Sequence, residues 1–132
     1  GYFSNAANLA LMEGRLDSAD SFLESAREHC TEANSPRLLA VHTALRMLIS
    51  FARGTTSVIA QSGEILRKLY ERGGNLGGQD CVVAALWRYE HEIGSPAVAN
   101  TLLDDYLRCR RREETKPEWL LRTYTATDPV WH

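Results

Sequence analysis

The chain has 132 residues, 44% of them hydrophobic and 24% charged, and a formal net charge of −2. That size makes one domain with an ordinary core, and the mixture excludes disordered and fibrous classes. The charge excludes an overall attraction to nucleic acid or to an anionic membrane, and no apolar run reaches the roughly 18 residues that span a bilayer.

The longest apolar candidate, around Leu38–Phe51, is broken by His42 and Arg46. A chain that begins Gly1-Tyr2 is expected to be part of a longer protein. Three cysteines (Cys30, Cys81 and Cys109) cannot all pair with one another. Their odd number and wide spacing favour reduced thiols in an intracellular protein, and the expectation is cytoplasmic rather than nuclear.

Read in order, the chain is helical almost throughout, and strand-type alternation is hard to find. Tyr2 to Glu13 is a first helix that ends at Gly14. Asp17 is placed to cap the next, whose inward stripe is Ala19, Phe22, Leu23, Ala26 and Cys30. After a break at 31–35, Ser35-Pro36 restarts a helix with serine as N-cap and proline in the first turn. This helix runs to about Arg53 with Leu38, Val41, Leu45, Leu48 and Ala52 on one side. Beyond Gly54, one of Thr55, Thr56 and Ser57 is expected to cap a helix carrying Val58, Ile59, Ile65, Leu66, Leu69 and Tyr70. The glycine-rich stretch 73–78 is a break, and Asp80 opens a helix with Val83, Leu86 and Trp87 that closes at Gly94. Ser95-Pro96 repeats the serine–proline start, followed by Val98, Ala99, Leu102, Leu103 and Tyr106. Thr115–Glu118 has capping-box spacing and predicts a short helix around Trp119 before an irregular tail.

Gly14, Gly54 and Gly94 lie 40 residues apart. Periods of about 20–50 residues mark helical-repeat architectures. A glycine followed by a small residue at +5, an apolar one at +9 and a small one at +12 resembles the second half of a tetratricopeptide (TPR) motif. Gly14, Ala19, Leu23 and Ala26 match all four positions, and Gly94, Ala99 and Leu103 match three, with Tyr106 in the fourth. The middle unit departs from the pattern, with Ile59, Gly63 and Leu66 at those places. The period also exceeds the TPR value of about 34, and is more similar to the looser repeats of MalT-like regulators. The resemblance implies an all-α, TPR-like array of three antiparallel hairpins, at about 2–31, 35–72 and 80–112. A C-terminal segment, 115–132, would carry a short capping helix.

The resemblance further implies a non-catalytic protein–protein interaction module with no cofactor. It would bind a peptide or partner protein on the surface lined by the first helix of each hairpin. That surface would include Asn5, Asn8 and Met12, then Arg88, His91 and Glu92. Asparagine amides can hold a peptide backbone, the charged trio its side chains, and methionine an adaptable contact. A short array also leaves hairpin ends that a neighbouring domain or a second copy could cover.

Arg108, Arg110, Arg111 and Arg112 form the densest charge and suit an anion or acidic partner. They also suit a helix C-terminus, and Glu113 and Glu114 blunt their field. Trp119, Tyr124 and Trp131 crowd the tail, either as a cap on the last hairpin or as a contact surface for a partner. The glycine stretch lacks the Lys-Ser/Thr of a phosphate loop, and no histidine and cysteine share a standard zinc spacing. Cys81 and His91 are ten residues apart on one helix, about 15 Å, too far to share a metal. Asp104 and Asp105 are adjacent and point apart, so they form no catalytic pair. Two further expectations stand beside the interaction module. One is a ligand- or partner-sensing domain of a transcription regulator. The other is a nucleic-acid-binding or enzyme accessory domain that uses the arginines.

Overall fold

The computed structural model describes residues 2–31, 35–55, 57–73 and 80–110. These residues hold six α-helices and no strand: α1 (Tyr2–Met12), α2 (Leu16–Ala26), α3 (Pro36–Arg53), α4 (Ile59–Glu71), α5 (Asp80–Glu92) and α6 (Pro96–Arg110). A single 3-10 turn, Arg27–His29, extends α2. None of these helices is long and apolar enough to cross a membrane.

The start of α3 is built as its sequence dictates. Ser35 Oγ accepts the Leu38 amide at 3.2 Å, and Pro36 occupies the first turn, where its missing N–H leaves nothing unpaired. At its far end Gly54 adopts φ 73°, a left-handed conformation that L side chains rarely tolerate, and its amide closes onto Phe51 and Ser50 carbonyls. Two expected caps are absent. α2 begins at Leu16 after Arg15 with no side-chain cap, and Asp17 instead reaches Arg53 of α3 at 2.6 Å. α4 begins after Val58, also uncapped, while Thr55 Oγ1 donates back to the Ser50 carbonyl at 3.3 Å. Thr56 lies outside the described residues. In the first case the acceptor that local spacing assigns to a helix end is taken by a tertiary partner; in the second the Thr55 hydroxyl donates to the preceding turn.

Each odd-numbered helix packs against the even-numbered helix that follows it. In addition α3 packs on α1 and α2, and α5 packs on α3 and α4. α3 is therefore enclosed by neighbours on several sides, and its buried surface is wider than the stripe its sequence suggests. Leu38 and Val41 are only half-buried, whereas Ala40, Ala44, Met47 and Phe51 are buried with Leu45, Leu48 and Ala52. A fully buried leucine or methionine stabilises by about 1.5–3 kcal/mol, so this helix carries much of the core.

The residues at +5, +9 and +12 from the three evenly spaced glycines share one burial pattern. Ala19, Leu23 and Ala26 are buried, as are Ile59, Gly63 and Leu66, and Ala99 and Tyr106. Leu103 is half-buried. The middle stretch thus buries the same three positions with different residue types. Gly63 is small there because a Cβ would strike the Tyr89 ring. The glycines themselves are not equivalent. Gly14 and Gly54 have φ of 77° and 73°, whereas Gly94 is outside the left-handed region. At Gly94 a Cβ would instead meet the Glu90 carboxylate, so glycine is needed for room rather than for the turn.

Candidate partner-binding surface

Asn5, Asn8 and Met12 are spaced three and four apart and share one face of α1. Asn5 is exposed, Asn8 and Met12 are half-buried, and Asn8 Oδ1 is a buried acceptor without a hydrogen bond. On α5, His91 and Glu92 are exposed, but Arg88 is only 4% exposed. Its guanidinium lies over the Phe51 ring at 4.6 Å and donates from Nε to Glu92 at 3.3 Å. A cation seated on an aromatic face anchors α5 to α3. Of the trio on α5, then, His91 and Glu92 present polar groups to solvent. The His91 ring stacks on half-buried Trp87, with centroids 6.1 Å apart and planes 27° from parallel. Phe51, Ile59, Arg88, Glu92 and Ile93 also line a cleft of about 280 Å³ where α3, α4 and α5 meet.

The arginine cluster is divided. Arg108 is exposed and sits 3.5 Å from Asp105, and Arg110 is the last residue of α6. Arg111 and Arg112 lie outside the described residues, as do Trp119, Tyr124 and Trp131 and the capping-box segment.

A network that sequence spacing does not reveal joins α4 to α5. Glu90 is 1% exposed and accepts from Arg67 Nε at 3.0 Å and from its Nη2 at 2.5 Å. Arg67 Nη1 also donates to Glu64 at 2.9 Å, and the Tyr89 hydroxyl donates to the same Glu64 oxygen at 3.1 Å. The Ser95 amide donates to Glu90 at 3.3 Å, which ties the start of α6 to the pair. Burial first, and then the Glu64 bond, hold the Tyr89 hydroxyl above its ordinary pKa. This network borders a groove of about 400 Å³ with Tyr70, Leu86, Val98 and Leu102 as its apolar lining, and Glu71 and Asp105 among its charged residues.

The corresponding cleft between α2 and α3 is polar, about 420 Å³, and lined by Asp20, Ser21, Glu24, Arg27, His42 and Arg46 around Leu23. His42 is 7% exposed, and its Nε2–H donates to the Leu23 carbonyl at 3.0 Å, which fixes the neutral tautomer. Burial lowers its pKa; the Leu23 bond opposes this, and Arg46 adds to it. Burial, reinforced by Asp80, pushes the Cys81 thiol up to about 12, and burial also raises Cys30. Both thiols are therefore protonated and poorly nucleophilic at neutral pH.

The sequence signal for Glu90 was a charged residue four positions after Leu86, on an otherwise apolar helix face. Its partner is 23 residues away on another helix, beyond any i,i+4 rule. His42 gave only the same kind of hint, a polar residue inside an apolar run. Comparison with protein-family models, with curated proteins and with solved structures gives no match to this chain.

Proposed function

We propose that the chain is a non-catalytic protein–protein interaction module, a TPR-like array of three antiparallel hairpins that holds a peptide or partner protein on the surface lined by α1, α3 and α5. The observation that carries this reading is the order of packing: α1 on α3, α3 on α5, and each against its own following helix. Stacked in that order, the three first helices make one preformed surface with polar groups at both ends. Asn5 and Asn8 supply amides at one end, with Met12 beside them, and His91 and Glu92 supply a ring and a carboxylate at the other. The Arg88–Phe51 contact holds α5 and α3 in register beneath them. Recognition then needs little reorganisation, because buried helix faces already fix the surface.

The test is selection of binding peptides from a displayed library, followed by calorimetric titration with the Asn8→Ala and Glu92→Ala variants. Each variant is expected to weaken binding about tenfold, or about 1.4 kcal/mol. Selected peptides that bind both folded variants as tightly as the parent would overturn the reading. A second reading, a ligand-sensing regulatory domain, draws on one feature, the largely apolar groove of about 400 Å³ beside the Arg67–Glu90 pair. Cavities of about 300–1,000 Å³ are the usual size for small-molecule sites. A thermal shift by a small molecule that is lost in Val98→Arg would favour it.

A further inference from the structure

Residues 40 apart occupy equivalent places in the three hairpins, and two sets of them on the first helices change exposure at the ends of the row. Leu9 is 60% exposed, whereas Ile49 and Tyr89 at the same place are 2% and 4% exposed. The Tyr89 ring packs on Gly63 of α4, which belongs to the preceding hairpin, and α3 likewise packs on α2. Among the described residues α1 has no preceding helix, and its leucine faces solvent. The opposite end shows the converse. Ala7 and Leu11 are fully buried, and Met47 and Phe51 are 1% and 5% exposed, on helices followed by another first helix. Their equivalents on α5, Trp87 and His91, are half-buried and exposed.

We propose that the Leu9 end of one molecule stacks on the Trp87–His91 end of a second copy of the same chain, head to tail. The contact continues an interface the molecule already makes twice, hairpin one to two and hairpin two to three. One molecule therefore carries both complementary halves at matched spacing. A contact between two different surfaces does not close on itself, so association is open-ended rather than dimeric. This inference rests on the hairpin-array reading; it shares His91 with the proposed peptide-holding surface, and its other end, Leu9, lies outside that surface.

Sedimentation equilibrium of the chain from low micromolar to near-millimolar concentration tests it. The weight-average mass is expected to rise with concentration without a plateau at the dimer. Leu9→Glu and His91→Glu are each expected to hold the mass at the monomer, while Ile65→Glu, at an exposed site on α4, leaves association unchanged. An equimolar mixture of Leu9→Glu and His91→Glu retains one good end of each kind, and is expected to give a dimer and nothing larger. A parent chain that stays monomeric throughout overturns the proposal. If His91→Glu then also lowers the unfolding midpoint, the α5 end is covered from within the chain. Association that survives either charged variant, or is lost equally in Ile65→Glu, overturns it too. Leu9→Glu leaves every peptide-holding residue intact, so peptide binding is measured on that variant and read apart from self-association.

Discussion

The junction of α2 with α3 and the junction of α4 with α5 occupy equivalent places, 40 residues apart, but are held by different chemistry. At the first, Arg27 lies 3.4 Å from Glu24 on the same helix, with both side chains more than 70% exposed. The link to α3 is made instead by Arg53, which bridges Asp17 and Asp20 near solvent, and by His42 on the Leu23 carbonyl. At the second, Arg67 stands where Arg27 stood, and it meets a nearly inaccessible Glu90 through two nitrogens. The difference comes from the opposite helix. Ser50 and Arg46 on α3 are replaced by Glu90 and Leu86 on α5, so one cleft is polar and the other apolar with an ionic clamp. Two junctions at the same sequence spacing therefore solve the same packing problem in different ways. The ionic one is costly to interrupt, because a buried carboxylate cannot be left without its partner.

That contrast can be broken most directly at the two arginines. Arg67→Met strands Glu90, and urea unfolding is expected to show a loss of about 3 kcal/mol, the low end for a buried pair because Arg67 is a third exposed. Arg27→Met is expected to change stability by no more than about 0.5 kcal/mol. Equal losses would show that the second junction does not depend on its clamp.

Next in size are the glycines that make room at the second junction. Gly63→Ala pushes a methyl into the Tyr89 ring and Gly94→Ala pushes one into the Glu90 carboxylate. Each is expected to cost about 1–3 kcal/mol in the same assay. Gly94→Ala combined with Arg67→Met should cost less than the sum, since both act on Glu90. Strict additivity would place Gly94 outside the network.

The first junction is probed by pH. His42 is neutral in the fold with its pKa below the ordinary histidine value, so the unfolded chain binds the proton more readily. Its contribution is fully present above the unfolded pKa of about 6.5 and is lost as pH falls from there toward the folded value. Unfolding midpoints of the parent are expected to fall between pH 7 and pH 5 more steeply than those of His42→Gln. Parallel curves would remove His42 from the account.

The smallest expected effect concerns Cys81, whose thiol near 12 should react with an alkylating reagent at neutral pH far more slowly in the folded chain than in urea. Labelling at the unfolded rate without denaturant would show that α5 opens readily at its start.

The sequence alone determined much of the local architecture. Ser35-Pro36 and Ser95-Pro96 start helices and Gly54 ends one, because capping and proline geometry act within a few residues of chain. The 40-residue spacing of small and apolar positions also predicted where each second helix is buried, since helical periodicity is a local property. Asn5, Asn8, Met12, Arg88, His91 and Glu92 fall on helices α1 and α5 as periodicity predicts, but Arg88 could not be recognised as an anchor because Phe51 lies on a different helix.

Only the tertiary structure decided which helix would be enclosed on several sides, why Gly94 must lack a side chain, and that Arg67 and Glu90 meet. It also decided that Asp17 serves Arg53 rather than its own helix end. The reason is the same in each case. Helical phase, caps and turns are written in residues three to five apart. The partner of a buried charge is chosen by which helices stack, and neighbouring residues do not record that choice.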